Sequence, residues 1–588
     1  MDISSFFRKK SIAQILQSSA EKGGDAGHPS LSRHLRLVDL ISLGIAAIVG
    51  AGIFSTIGVA SSEGGPGVIF LFIFTAVACG FAAFAYAEFA SMVPVAGSAY
   101  TYSYVAFGEL IAWIIGWALI MEYAVGNVTV AVSWSDYFTG LLDSIRIGSL
   151  NGIHIPEWAS IDYVSALRGF NVATAAIGTG KPFSDLDSFT QTACLAWQNA
   201  PVIGGLHIIA DIPALAINIL ITWLVYTGIK ESRNASNIMV GIKLSVILLV
   251  IGVGIFYVDT SNWNPFLPNG IGGVLGGVSA VFFAYIGFDA LSTTVEECKN
   301  PSRDLPRGIM WAIIICTVLY ILIALILTGI IKYDQLRVGD PLAFAFNKIN
   351  LKWFSGIIAV SAVVAMTSVL LVFQIGQPRI WMSMSRDGLL PKHFSKIHPK
   401  YKTPSYATII TGLAVGIPTL FVPGDVILDL CSMGTLFAFV LVCGGVLKLQ
   451  NTPGRPAGKF RTPYINGKFI MPLLLLTSAV LTFIYANEWL RGILTFSDWD
   501  STAHNIPMIL FIILTVVLTM FTYLKNLSLI PLLGMIFCAY MMAQIKLTSW
   551  LGFLIWLTIG LTLYFSYGYR KSKLISEDRR QNTGNREF

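Results

Sequence analysis

The sequence predicts an all-α integral membrane protein built on a five-plus-five inverted repeat, with broken helices 1 and 6 and four further C-terminal spans. Three observations carry this. Of 588 residues, 55% are hydrophobic and 12% charged, against roughly 25% charged in a typical soluble domain, and the apolar residues fall in runs long enough to cross a bilayer. Two of those runs are interrupted by glycine near their centres. Lysine and arginine are divided unequally between the loops on the two sides of the runs.

Fourteen runs are expected, at about 37–60, 67–92, 108–141, 211–229, 236–258, 272–295, 309–331, 353–382, 405–422, 426–447, 469–488, 506–524, 527–545 and 549–568. The third and eighth exceed one crossing, which predicts tilt plus an extra turn or two. With the N-terminus in the cytoplasm, inward-facing segments hold 28 Lys and Arg and outward-facing ones hold nine. Cationic loops stay on the cytoplasmic side, so both termini are placed there and the protein in the cell (plasma or inner) membrane. An even number of spans also keeps the cluster Arg570, Lys571 and Lys573 inside.

Five spans are an odd number, so a second block of five must enter the membrane inverted relative to the first. The expected organisation is a cytoplasmic tail at 1–36, a first repeat at 37–258, a second at 272–448, four spans in 469–568 and a tail at 569–588. The long polar segment 142–210 is read as a partly ordered outer cap, too thin in apolar residues for a domain of its own. Residues 1–36 are polar and basic, without the short apolar stretch and cleavage site of a signal peptide.

Several function classes fall away. The net charge of +7 sits in loops and tails with no basic stripe interleaved with aromatics, so no nucleic-acid partner is expected. Five of the seven cysteines (Cys79, Cys316, Cys431, Cys443, Cys538) lie in apolar runs, Cys298 in a short loop and Cys194 in the long one. No CxxC or Cys/His spacing suggests a metal, and no cofactor is implied. His34, His207 and His393 have no partner spacing either. No HExxH, paired membrane aspartates or Ser/His arrangement points to an enzyme. A channel would need a polar pore lining that these spans lack.

The interruptions carry the functional reading. The first is Ile48-Val49-Gly50-Ala51-Gly52-Ile53-Phe54 and the second Phe282-Phe283-Ala284-Tyr285-Ile286-Gly287-Phe288. Central glycine serves a membrane helix where the backbone opens or another helix approaches closely. Opened helices at matching places in two halves of a chain mark the midplane binding site of a transporter. An unwound helix exposes N–H groups, which bind a carboxylate, and C=O groups, which bind an ammonium. Gly50, Ala51, Gly52 and Ile53 are the expected donors. Carbonyls near Ile48, Phe283, Ala284 and Ile286 are the expected acceptors, and the ligand they suit is a zwitterion.

The first of these stretches resembles the first-helix signature of the amino acid–polyamine–organocation superfamily. So do Tyr86-Ala87-Glu88-Phe89 and Pro94-Val95-Ala96-Gly97-Ser98-Ala99-Tyr100-Thr101-Tyr102. Residues Glu296 to Ile309 are similar to the loop after that family's sixth helix. Gly376-Gln377-Pro378-Arg379 and Met384-Ser385-Arg386-Asp387-Gly388-Leu389-Leu390-Pro391 resemble its cationic amino acid transporter branch. The resemblance covers roughly 31–465 and resumes near 531–569. It implies an inverted-repeat transporter core and uptake of L-amino acids by alternating access. The segment 142–210 and about 65 residues holding two spans depart from the shorter bacterial members, which leaves any small membrane subunit or oligomer open. An exchanger, or a cationic amino acid or polyamine transporter, is the alternative.

Single residues refine this expectation. Lys243 lies within a membrane run, at a cost of several kcal/mol unless it faces the interior or gives up its proton. It matches by position a lysine that, in proton-driven relatives, fills a cation site between helices 1, 5 and 8; that implies a proton as the coupling ion. Thr367 and Ser368 resemble the hydroxyl pair that holds sodium there in sodium-driven relatives, and Lys243 is favoured over them. Glu122, also inside a span, either meets a basic substrate side chain or carries a second proton. Met366 and Val369 fall where the resemblance puts the side-chain end of the pocket, and Met366 would shorten it toward small or medium neutral amino acids. Glu88 and Arg379 are candidates to pair at the inner ends of their spans, and Asp289 to cap the second half-helix or join a gate.

Overall fold

A computed structural model describes residues 8–10, 35–93, 97–144, 153–227, 230–450, 458, 460–485 and 499–575. His34 and Pro94, Val95 and Ala96 of the second motif lie outside the described residues. Among the described residues the chain is mostly helical, with a two-stranded hairpin in the outer segment, and every expected run carries helix. Among the described residues, nine stretches are long and apolar enough to cross a membrane, and five shorter apolar helices fill the remaining runs.

The first run divides into α1 (Leu37–Ile48), a π-helical turn (Gly52–Thr56) and α2 (Ile57–Gly64). It is followed by α3 (Val68–Met92) and a short α4 (Ser98–Ala106). Next comes α5 (Glu109–Ser144), 36 residues without a break. The outer segment contributes α6 (Tyr163–Gly178), α7 (Ser188–Asn199) and a hairpin, β1 (Val202–Ile203) with β2 (Leu206–His207). Asp162 and Asp187 cap the two helices through the N–H groups of Ser165 and Thr190. Ala166, Ala193 and Ala196 bring them together, with Ile161, Ile209 and Trp197 around them. Few but small apolar residues suffice because alanine lets the two backbones approach.

Beyond it run α8 (Ile212–Thr227) and α9 (Lys230–Gly254). The inner loop expected at 230–235 is the opening of α9, since no Gly or Pro interrupts Lys230–Val240. The sixth run divides into α10 (Gly270–Gly276), α11 (Val278–Phe283) and a 3₁₀ stretch (Phe288–Glu297). Ser292, Thr293 and Thr294 each donate to the carbonyl three residues back, at 2.6–2.8 Å, a local side-chain pattern that competes with α geometry. The rest of the chain is α12 (Pro301–Ile330), α13 (Pro341–Lys348), α14 (Lys352–Arg386), α15 (Ser405–Gly416), α16 (Gly424–Gln450), α17 (Ile470–Tyr485), α18 (Trp499–Lys525), α19 (Leu529–Ala543) and α20 (Leu547–Leu563). Proline at the first position sets the early start of α12, where its missing N–H costs nothing.

The core sits between the two broken runs. α5 packs along α14 and α16, while α1 packs against α12, α9 and α14. At one end, Leu35 and Cys298 form a parallel bridge, and Lys299 N–H donates to Leu35 C=O at 3.0 Å. The Ser292 hydroxyl also lies 2.8 Å from the Ser98 hydroxyl, within hydrogen-bond reach, so α4 is tied to the 3₁₀ stretch.

Candidate functional site

The first break has a clear local cause. α1 ends at Ile48 because Val49 turns to extended geometry, φ −80° and ψ 98°. The N–H groups of Ile53 and Phe54 then both turn to Gly50 C=O, at 3.1 and 3.2 Å. The carbonyls of Ala46 and Val49 are thereby released from the i to i+4 pattern that would pair them with Gly50 and Ile53. The N–H groups of Gly50 and Ala51 have no backbone acceptor among the described residues. Ile53, expected as a donor to the ligand, spends its N–H inside the π turn.

The second break follows Phe283. Tyr285 and Ile286 N–H donate to Phe282 and Phe283 C=O at 2.9 and 3.2 Å. Gly287 then takes φ +112°, a left-handed value that only glycine adopts without strain. The two breaks touch: a Cβ on Gly52 would stand 2.4 Å from Ala284 Cα, and one on Gly50 would stand 2.3 Å from Val369 Cγ2.

Between them lies a small cavity of about 10 Å³, room for about one water molecule, lined by Ala47, Ile48, Gly50, Ala51, Gly52, Val130, Phe283, Ile286, Val369 and Phe373. Seven of the residues singled out in the sequence therefore line one space. Four others do not. Ile53 and Ala284 are buried beside it, Ala284 as the point of contact between the breaks. Met366 is buried one helical turn from Val369 on α14. Glu122 lies deeper along α5, beside Thr435 and Asp289, with Tyr123 donating to Asp289 Oδ2 at 3.3 Å. Ala47, Val130 and Phe373 were missed because they are plain apolar residues within apolar runs.

A further residue escaped the sequence reading. The Tyr320 hydroxyl on α12 lies 2.8 Å from Ile48 C=O and 2.8 Å from Ala284 C=O, and donates to both. Two of the four carbonyls expected to receive an ammonium thus already share a hydroxyl proton. Each carbonyl oxygen keeps a second lone pair, so Tyr320 orients these acceptors without closing them. A tyrosine inside an otherwise apolar span was the available signal.

Lys243 is fully buried. Its Nζ donates to Val49 C=O at 2.7 Å, Ser368 Oγ at 3.0 Å and Ala46 C=O at 3.1 Å. Three donors meet three acceptors, two of them the carbonyls released by the first break. They stand at the C-terminal end of α1, where the helix dipole favours positive charge. Ser368 also donates to Ala365 C=O at 2.7 Å. Thr367 does not join it. Its hydroxyl donates to Val363 C=O and accepts from Trp134 Nε1 at 2.9 Å, so it serves the packing of α14 on α5. Arg379 is buried, and Glu88 accepts from Thr462 N–H at 3.2 Å. Outside the spans, burial pushes the Asp340 carboxyl, at the start of α13, up to about 6.

Comparison with known proteins gives a consistent picture. The sequence model described as amino acid permease matches residues 35–521, and that of the C-terminus of the same permeases matches 527–572. The chain is 36% identical over 571 residues to the branched-chain amino acid permease BcaP of Bacillus subtilis (strain 168), covering 97% of this chain and 99% of the relative. It is 34% identical over 573 residues to the methylthioribose transporter of the same organism, covering 97% and 100%. It is 35% identical over 451 residues to the vacuolar cationic amino acid transporter 2 of Arabidopsis thaliana, covering 76% of this chain and 64% of that one.

Proposed function

We propose, from the premise that the chain belongs to the amino acid permease family of the amino acid–polyamine–organocation superfamily, that it takes up neutral L-amino acids with small or medium side chains, driven by protons and by alternating access. Family membership carries the coarse activity, amino-acid transport across a membrane. Coupling ion, direction and specificity are our reading of the site.

In that reading the substrate carboxylate accepts from Gly50, Ala51 and Gly52 N–H at the opening of the π turn. The ammonium is received by carbonyls among Ile48, Phe283, Ala284 and Ile286, two of them oriented by Tyr320. The side chain lies against Val130, Val369 and Phe373. No ionisable side chain lines the cavity, which favours an aliphatic substrate over a basic amino acid or a polyamine. In this reading Met366, buried one turn from Val369 on the same helix, limits side-chain length.

The observation that carries proton coupling is the three-way coordination of Lys243. An ammonium there ties α1, α9 and α14 together at the break. After loss of its proton the amine keeps two donors for the same three acceptors, and the charge–dipole attraction to the end of α1 is gone. Protonation therefore biases the first broken helix between two arrangements. Spans 1–5 and 6–10 are the two inverted halves around this site, both termini are cytoplasmic, and the protein resides in the cell membrane. The test is uptake of radiolabelled leucine into proteoliposomes with and without an inward proton gradient. Accumulation only with the gradient is expected. Equal uptake in both, or uptake that needs sodium, rejects the coupling.

A further inference from the structure

We propose that Arg8–Lys10 near one end of the chain and Ser572–Lys573 near the other form a charge-dependent clasp on the inner end of the substrate path. The location rests on the orientation proposed above; the clasp itself rests on contacts at that end of the molecule.

Two carboxylates organise them. Asp387 caps the end of α14. Its Oδ1 pairs with Lys10 Nζ, its Oδ2 accepts from Tyr100 of α4 at 2.7 Å, and its C=O accepts from Lys573 N–H at 3.1 Å. Glu109 opens α5 and accepts from Tyr104 at 2.9 Å, Tyr564 at 3.0 Å and Ser572 at 2.5 Å. The N-terminal segment also reaches Glu109, whose N–H donates to Arg8 C=O at 2.9 Å. That bond supplies an acceptor for one of the N–H groups that any helix start leaves unpaired. Lys10 further lies 4.9 Å above the Tyr104 ring.

The clasp connects to both broken helices. α4 is held to the 3₁₀ stretch through Ser98 and Ser292, and that stretch ends at Cys298, bridged to Leu35 just before α1. Separating the inner ends of the broken helices therefore moves α4 against Asp387. Lys10 resists this from a segment lying on the surface. Its pair with Asp387 is partly exposed, at 20% and 18%, so screening weakens it. A buried set of tyrosine–carboxylate hydrogen bonds fixes the site, and one dissociable ion pair sets how readily it opens.

Cys298 is a native reporter, fully buried and bridged to Leu35 just before α1. The experiment treats inside-out vesicles holding the full-length chain with N-ethylmaleimide and measures alkylation of each cysteine by peptide mass spectrometry. Lys10→Gln is expected to raise the rate at Cys298 roughly fivefold, the scale of one partly exposed ion pair. Lys10→Arg is expected to leave it unchanged. High salt is expected to raise the wild-type rate toward that of Lys10→Gln. Equal rates in all three proteins overturn the clasp. So does a rise that includes Cys79 and Cys443, which reports general loosening. The readout needs no substrate, so failure of the transport reading leaves it intact.

Discussion

Replacing Gly52 by alanine tests whether the contact between the two breaks is what makes the site. The added Cβ would lie 2.4 Å from Ala284 Cα and 2.6 Å from its Cβ. Ordinary contact begins near 3.4 Å, so the breaks must separate by about 1 Å (3.4 minus 2.4). Backbone blocks the way, and no rotamer change relieves it. Overpacking of this kind costs about 1–3 kcal/mol, and a reacting or binding group misplaced by about 1 Å loses on the order of 100-fold in efficiency. Initial uptake rates over a range of substrate concentrations, with melting temperature measured alongside, read both effects. Gly50→Ala is the graded comparison: its Cβ meets the Val369 Cγ2 methyl at 2.3 Å, and a side-chain end can turn away. Gly80→Ala is the control, with nothing within 4 Å. Gly52→Ala uptake within about twofold of wild type at unchanged melting temperature, the behaviour of an ordinary surface substitution, refutes the reasoning.

Four further outcomes follow from the same geometry. Lys243→Ala should lose accumulation of substrate against a gradient while keeping counterflow; an inward difference of one pH unit supports up to about tenfold accumulation for one coupled proton, and the variant should settle near equal concentrations. Tyr320→Phe should raise KM by roughly fivefold, the value of about 1 kcal/mol for a lost hydrogen bond, with little change in melting temperature; an unchanged KM removes Tyr320 from the site. Met366→Ser should admit longer or basic side chains in a competition profile, and an unaltered profile discards its role in length selection. Asp340→Asn should raise the melting temperature at pH 7.5 but not near pH 2.5. The folded carboxyl, held at about 6 by burial against an ordinary value of 3.8, penalises folding once ionised and has no such effect when both states are protonated; a gain at both pH values contradicts this.

Much of the architecture was legible because a bilayer leaves few choices. Run length alone placed a helix in each of the fourteen expected runs, and the glycines at 50, 52 and 287 located both openings. Lys243 was legible because an ammonium at that depth must find acceptors, and a broken helix nearby supplies them. Less visible were features decided by approach between distant segments. Nothing in the sequence separates Ile53 from Gly50 as a donor; that depends on the π turn redirecting its N–H. Thr367 and Ser368 look equivalent, yet adjacent helical positions face different neighbours, and one meets Trp134 while the other meets Lys243. Ala47, Val130 and Phe373 carry no mark distinguishing a cavity wall from ordinary packing. The helices of the outer segment carried little signal because alanine contacts hold α6 and α7 together with little bulk.

One consequence lies in the length of α5. Thirty-six unbroken residues at about 1.5 Å each make a rod of about 54 Å. One end carries Glu109 among the tails. Val130, past its middle, forms a cavity wall, and beyond it Tyr137 donates to Phe54 C=O at 2.5 Å while Ser135 donates to Asp211 at 2.6 Å. A stiff rod tied toward both ends cannot be displaced at one without carrying the movement along its length, so a single continuous helix links the Glu109 end mechanically to the cavity wall with no signal passing through side chains at all.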